Sequence, residues 1–160
     1  MSLPDRRTVL SLLAALLIAG CGFTPAYAPE GAGTKLRGRV AVQVPATRND
    51  FALASRLETR LGAADAPAYD LGYSVTVYSI SGGITPDNET TRYQLKGSVA
   101  YTLTDRATQA RVAGGTVRNF TSWSATGSTV AGIAAEEAAA ARLMQILADD
   151  IVTRLIAELP

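Results

Sequence analysis

A chain of 160 residues with 48% hydrophobic residues and a mean hydropathy of +0.14 is too apolar to stay disordered and fits a single domain. Fifteen Lys and Arg against fourteen Asp and Glu give a net charge of +1, so no cationic excess drives counterion release and no nucleic-acid partner is expected. Histidine is absent and Cys21 is the one cysteine, which removes the usual general base near neutral pH, any Ser-His or Cys-His pair and any intramolecular disulfide.

Arg6 and Arg7 precede an apolar run from Val9 to Ala19, and the run ends in Ile18-Ala19-Gly20-Cys21. Eleven residues at about 1.5 Å each fall short of a hydrocarbon core of about 30 Å, so residues 1–20 read as a signal peptide and not a membrane span. Small residues before Cys21 match the bacterial lipobox. The motif resembles those of lipoproteins, in which the thiol is diacylglycerated, the peptide is cut before the cysteine, and the new amino terminus is acylated with a fatty acid such as palmitate. A covalent lipid on Cys21 is therefore expected, with no other cofactor. More than one acyl chain at about 0.8 kcal/mol per inserted CH₂ anchors stably. The Asp5-Arg6-Arg7-Thr8-Val9-Leu10 stretch fits a twin-arginine export signal as well as an ordinary positive n-region, and both routes stay open.

Cleavage leaves thirteen basic and thirteen acidic side chains, because Arg6, Arg7 and Asp5 depart. Gly22 follows the cysteine where lipoproteins kept in the inner membrane often carry Asp, and by that resemblance the outer membrane is the expected home. Residues 21–34, with two prolines and three glycines and no hydrophobic period, read as a lipidated tether. Its thirteen residues after Cys21 reach at most about 45 Å.

Residues 35–160 read as one domain. Gly38, Val40, Val42 and Val44 alternate with polar residues from Arg37, which predicts a strand ended by Pro45. Phe51, Ala54, Leu57 and Leu61 then recur at helical spacing, with Asn49 as expected N-cap and Gly62 as stop. Leu71, Tyr73, Val75 and Val77 predict a second strand. Tyr93, Leu95, Val99, Tyr101 and Leu103 predict a third, with Gly97 the gap on its apolar face. Residues 110–124 read as a fourth strand in which Gly114-Gly115 predicts a bulge, leaving the faces of Val117, Phe120 and Trp123 unassigned. From Ser128 or Thr129, a stripe of Ala140, Met144, Leu147, Ile151, Leu155 and Leu159 predicts a long amphipathic helix. The expected fold is α+β: a two-layer sandwich of a four-stranded mixed sheet with two helices on one face, in the order β-α-β-β-β-α.

Motifs for chemistry are scarce. Glu136-Glu137 and Asp149-Asp150 are adjacent carboxylates, yet neighbours on a helix point about 100° apart and share no site. Asp87, Asn88 and Glu89 lack the spacing of a calcium loop. Gly82-Gly83 reads as a turn rather than a phosphate loop. Ser122 or Ser124 would need Lys35 or Lys96 as base, and nothing in the sequence brings them together. No catalytic or metal residue is expected. The basic residues cluster instead, six between Lys35 and Arg60 and five between Asp87 and Arg118, while the rest of the mature domain is net acidic. If Arg37, Arg39, Arg92 and Lys96 lie on the outer sheet face, they suit phosphate or carboxylate groups; otherwise they keep that face soluble.

The ordered set Cys21-Gly22-Phe23, Tyr93-Gln94-Leu95 through Leu103-Thr104-Asp105, Val117-Arg118-Asn119-Phe120 and Arg154-Leu155-Ile156-Ala157-Glu158-Leu159-Pro160 resembles the lipopolysaccharide-assembly lipoprotein family, LptE, in its alphaproteobacterial form. The resemblance spans the precursor. It implies an outer-membrane lipoprotein on the periplasmic side, seated in the β-barrel of the LptD translocon protein, which assists barrel assembly, plugs the lumen and takes part in lipopolysaccharide delivery to the outer leaflet without catalysis. Interiors of large barrels are polar, and so is the alternation read above. The family's lipopolysaccharide-linked basic positions are not matched by motif, so Arg37, Arg39, Arg92, Lys96 and Arg118 are candidates from this sequence alone. The rival expectation is a lipoprotein accessory of a phospholipid or ABC-type lipid transporter.

Overall fold

A computed structural model describes residues 31–84, 90–124 and 128–159. The signal segment, Cys21, most of the tether and Asp87-Asn88-Glu89 lie outside these residues. The described elements are α1 (Ala32–Leu36), β1 (Val40–Val42), α2 (Arg48–Leu61), β2 (Tyr69–Ile84), β3 (Thr90–Asp105), β4 (Arg111–Ser124) and α3 (Thr129–Glu158). The strands form one mixed sheet in the order β1-β2-β3-β4. β1 runs parallel to β2, and β2, β3 and β4 form an antiparallel meander. The expected fold class holds, with a short helix added at the start.

That helix takes up residues 32–34, which the sequence assigns to the tether. Leu36 explains it: at 1% exposure it is an apolar anchor that one helical turn delivers into the core. The first strand is correspondingly shorter than its alternating pattern. It spans three residues, and Val44 is 83% exposed, beyond the end of the pairing with Leu71.

α2 is capped two residues earlier than the sequence suggests. Thr47, not Asn49, is the N-cap: its Oγ1 accepts from the Asp50 N–H at 3.1 Å, and Asp50 Oδ2 accepts from the Thr47 N–H at 2.9 Å. This reciprocal box satisfies two of the helix's orphan donors. The buried stripe is Leu53, Ala54, Leu57 and Leu61, whereas Phe51 is 67% exposed. At 100° per residue Phe51 lies about 110° from the centre of that stripe, and three fully buried leucines at roughly 1.5–3 kcal/mol each decide the helix rotation.

β2 and β3 extend well past the segments read from their apolar alternation, pairing from Tyr69↔Asp105 to Ile84↔Thr90. On β4 the register slips between Leu103↔Ala113 and Thr104↔Arg111, so the extra residue is Val112, two positions before the expected glycines. Beyond it, Ala113 and Val117 face the helices and are buried, while Phe120 faces away and is 57% exposed. Trp123 stacks on Tyr93, their ring centroids 4.6 Å apart.

α3 packs against α2 and lies under β3 and β4. Its buried face is broader than the sequence stripe, adding Ala139, Leu143, Ala148 and Val152 to Met144, Leu147, Ile151 and Leu155. Gly97 lets the helix come close, since a Cβ there would stand 2.9 Å from Leu143 Cδ2 and 3.0 Å from Leu147 Cδ1. The adjacent acidic pairs diverge. Asp149 receives the Arg56 guanidinium through two hydrogen bonds of 3.0 and 2.8 Å, while Asp150 accepts from the Asn119 amide at 3.1 Å. These ties, with Thr121 Oγ1 donating to the Ala139 carbonyl at 3.0 Å, fix α3 to α2 and to β4. α2 and α3 cover one face of the sheet, and among the described residues nothing covers the other.

Candidate functional site

Strand periodicity determines what that uncovered face presents. Odd-numbered residues of β2, β3 and distal β4 point to the helices, so even-numbered residues point outward. The register sets Tyr78, Lys96 and Phe120 in one row across three strands, with Thr76, Ser98 and Arg118 in the next and Ile80, Gln94 and Ser122 on the other side. Directly opposed side chains in such rows lie about 4.5–5.5 Å apart at Cβ. The register thus places Lys96 between Tyr78 and Phe120.

Tyr78, Lys96, Ser98, Arg118, Asn119 and Phe120 border a shallow recess of 260 Å³. Tyr78 and Phe120 are each more than half exposed, and Ile80 is 37% exposed. Among the described residues, none of Arg92, Lys96 and Arg118 forms an ion pair. A recess with apolar rims and cations without carboxylate partners suits an anionic amphiphile: the rings take methylene groups, and Lys96 and Arg118 make charge-assisted bonds to phosphate or carboxylate. Below this level the face is flat and small-featured, with Ser74, Thr76, Ser98, Ala100, Thr102 and Thr116.

The five cationic candidates therefore separate. Arg92, Lys96 and Arg118 share the open face. Arg37 and Arg39 do not join them: Arg37 caps α1 and Arg39 precedes β1, at the end where the chain enters the fold. The cause is the α1 turn, which begins β1 only at Val40. Arg39 instead lies over the Tyr69 ring, 5.9 Å from its centroid, and its charge helps lower the Asp105 pKa. The larger cause of that lowering is the Thr108 N–H donating to the carboxylate at 2.9 Å, joined by Thr108 Oγ1 and the Ala107 N–H. Asp105 is a turn-former, not a site residue.

Tyr78, Ile80 and Phe120 are the open-face residues of this candidate site that sequence reading passes over. One signal was present. After Val77 the apolar positions on β2 change parity, to Tyr78 and Ile80, while pairing with β3 continues unbroken to Ser81, so these two residues must face away from the core. Ser122 opposes Gln94 and Ser124 opposes Arg92, while Lys35 lies in α1 and Lys96 opposes Phe120. No described helix is long and apolar enough to cross a membrane.

Comparison with known proteins agrees with this architecture. No curated protein matches the chain significantly. Among solved structures, a lipoprotein candidate from Caulobacter crescentus CB15 superposes with a TM-score of 0.66 at 20% identity, covering 81% of this chain and 96% of that one. A minor lipoprotein from Acinetobacter baumannii gives 0.56 at 19% identity, covering 75% and 91%. Rare lipoprotein B from Shewanella oneidensis gives 0.56 at 10% identity, covering 74% and 92%. These likenesses establish a shared fold. A family model described as lipopolysaccharide-assembly, LptE, matches residues 38–155, from the turn before β1 to the last turns of α3. The chain belongs to the lipopolysaccharide-assembly family LptE.

Proposed function

We propose that this chain is an outer-membrane lipoprotein, acylated at Cys21, that assists assembly of the LptD-type β-barrel, plugs its lumen and contacts lipopolysaccharide on its way to the outer leaflet. The observation that carries this reading is the uncovered sheet face of a family member, where Tyr78 and Phe120 bracket Lys96 beside Arg118. Lipopolysaccharide is an anionic amphiphile and matches both halves of that recess. The flat Ser/Thr surface alongside it is the polar exterior that a guest inside a water-lined barrel requires. The work proposed is binding and scaffolding, for which the recess offers cations and rings.

Arg37 and Arg39, at the tether end, are assigned to contacts with the barrel rim rather than to the recess. Depletion of the chain tests the reading. Surface lipopolysaccharide and the mature form of the barrel should both fall. Unchanged levels of both would reject the assignment, and capture of an inner-membrane transport complex in place of a barrel would favour an accessory role in phospholipid transport.

A further inference from the structure

β1 pairs with β2 only through Val40–Val42, and the lane beside β2 then opens. Tyr69 N–H donates to the Arg39 carbonyl at 3.1 Å, and Gln43 N–H donates to the Leu71 carbonyl at 2.9 Å. The Gln43 side-chain carbonyl extends the ladder by one step, accepting from the Tyr73 N–H at 3.1 Å. The N–H and C=O of one strand residue point to the same side, so these bonds show that odd-numbered residues of β2 turn their backbone groups away from β3. Past Tyr73, no described residue bonds the backbone of Val75, Val77 or Ser79 on that side. A groove of 400 Å³, bordered by Thr47, Asn49, Val75 and Val77, runs along the same edge.

The two long edges of the sheet differ in how they are protected. Edge strands avoid unwanted pairing through charges, prolines and bulges. β4 has such devices: Arg111 and Arg118, the extra residue Val112, and Asn119, whose Oδ1 accepts from the Phe120 N–H at 2.9 Å while its amide donates to Asp150 on α3. β2 has almost none. From Leu71 to Ile84 it carries no charged residue and no proline, and its register with β3 is regular from Tyr73 to Ser81. That stretch is nine residues of open, uncharged edge.

We propose that the β2 edge from Tyr73 to Ser81 receives an unpaired transmembrane strand of the partner barrel before the barrel closes, an assignment that rests on the barrel-assembly reading and names its surface. The match is one of length, charge and need. A barrel strand crosses the bilayer in about 9–11 residues. It alternates apolar and polar side chains with an uncharged lipid face, as an uncharged edge requires. Until closure it also carries a row of unsatisfied N–H and C=O groups, which the backbone of Val75, Val77 and Ser79 complements. Thr47, Asn49 and Asp50 along the groove suit the strand's lumen-facing polar side chains, while Tyr78 and Ile80, exposed on the open side of the same edge, suit its apolar ones. The tether is a poorer occupant, because Pro25 and Pro29 have no N–H to donate.

The test uses the mature chain, residues 21–160, with Cys21→Ser. All its buried core lies between Leu36 and Leu155, so loss of the anchor leaves folding intact. The probes are synthetic peptides, each carrying one transmembrane strand of the cognate LptD-type barrel in mild detergent, and amide exchange is followed by NMR. At least one peptide should protect the amides of Val75, Val77 and Ser79, while those of Thr76 and Tyr78, which face β3, should not change. Ser79 is exposed, and Ser79→Pro removes an edge donor without touching the β3 ladder; binding should weaken about fivefold. Ser79→Lys keeps the donor and places a charge at the edge, so it should weaken binding even if the proline disturbs the strand. Ser122→Pro, the matching change on the β4 edge, should leave binding unaltered. No protection by any strand peptide, equal protection of odd and even amides, or unaltered binding in both Ser79 variants would overturn the proposal. Protection of the odd amides before peptide is added would also overturn it, in favour of a second copy if sedimentation shows a dimer and of the tether if it shows a monomer. In cells, normal barrel maturation with Ser79→Lys, where depletion of the chain lowers it, would remove this edge and leave the barrel-partner reading standing.

Discussion

Gly97→Ala probes a close helix–sheet contact. The added methyl would meet Leu143 Cδ2 at 2.9 Å, Leu147 Cδ1 at 3.0 Å and Leu143 Cγ at 3.3 Å, against a comfortable carbon–carbon separation of about 3.5–4.0 Å. Leucine tips usually move aside at little expense, but both leucines are fully buried, and α3 is held on either side by the Arg56–Asp149 and Asn119–Asp150 bonds. The methyl must therefore push α3 off the sheet by several tenths of an ångström or drive a leucine from its rotamer. Overpacking of this kind costs about 1–3 kcal/mol, and replacing a strand glycine returns about 0.5–1 kcal/mol. The net expectation is a loss of up to about 2.5 kcal/mol, centred on about 1 kcal/mol, read by urea denaturation as a lower midpoint with unchanged slope. A double-mutant cycle sharpens the assay. Leu143→Ala alone should cost about 2–5 kcal/mol, and the same change beside Gly97→Ala should cost less by at least about 0.5 kcal/mol, because the new methyl fills part of the cavity. A Gly97→Ala protein more stable than wild type, or strictly additive losses, would refute the contact.

Thr47→Ala removes the α2 cap seen in the Thr47–Asp50 box and should lower stability by about 1 kcal/mol, measured by thermal melting, while Asn49→Ala, at the position suggested by sequence alone, should be near neutral. Asp105 has a folded pKa below its ordinary value, so its contribution is complete above the unfolded carboxylate value near about 4 and is lost as pH falls through the lower folded value. Asp105→Asn should accordingly be less stable than wild type at neutral pH, with the gap closing in acid; a constant gap would contradict the assignment. Asp149→Asn weakens the bidentate bond from Arg56, and the resulting fall in melting temperature should shrink in high salt, where the wild-type pair is itself screened. Cys21→Ser should abolish acylation and release the chain from the outer membrane, which fractionation and mass spectrometry would read directly.

The sheet was the most legible part of the sequence because β2 and β3 each bury one face against helices, which imposes the two-residue alternation from Leu71 to Val77 and from Tyr93 to Leu103. What escaped were features that the alternation does not govern. α1 is a single turn recruited by Leu36 and has no period of its own. The cap of α2 is a pair of hydrogen bonds between Thr47 and Asp50, and Asn49 has equal intrinsic standing as a cap until the chain direction is known. On β4 the extra residue is Val112, whose apolar side chain hides the register slip that the glycines seemed to announce.

The candidate site was half legible. Lys96 and Arg92 lie on a face that the alternation predicts, and Arg118 joins them once the Val112 bulge sets the parity of β4. Their aromatic neighbours were not read, because an apolar residue on a strand is ordinarily assigned to the core. Tyr78 and Phe120 break that assignment through register alone. Arg37 and Arg39 would share that face only if β1 ran on from Arg37, and three residues of actual pairing put them at the opposite end.

A photo-crosslinking residue at Phe120, on the open sheet face, compared with one at Phe51, on the exposed side of α2, tests the functional assignment most directly. In growing cells the Phe120 probe should yield adducts carrying lipopolysaccharide, and the Phe51 probe should not. Lipopolysaccharide captured equally from both positions, or from neither, would contradict the assignment of the Tyr78–Lys96–Phe120 recess to that lipid.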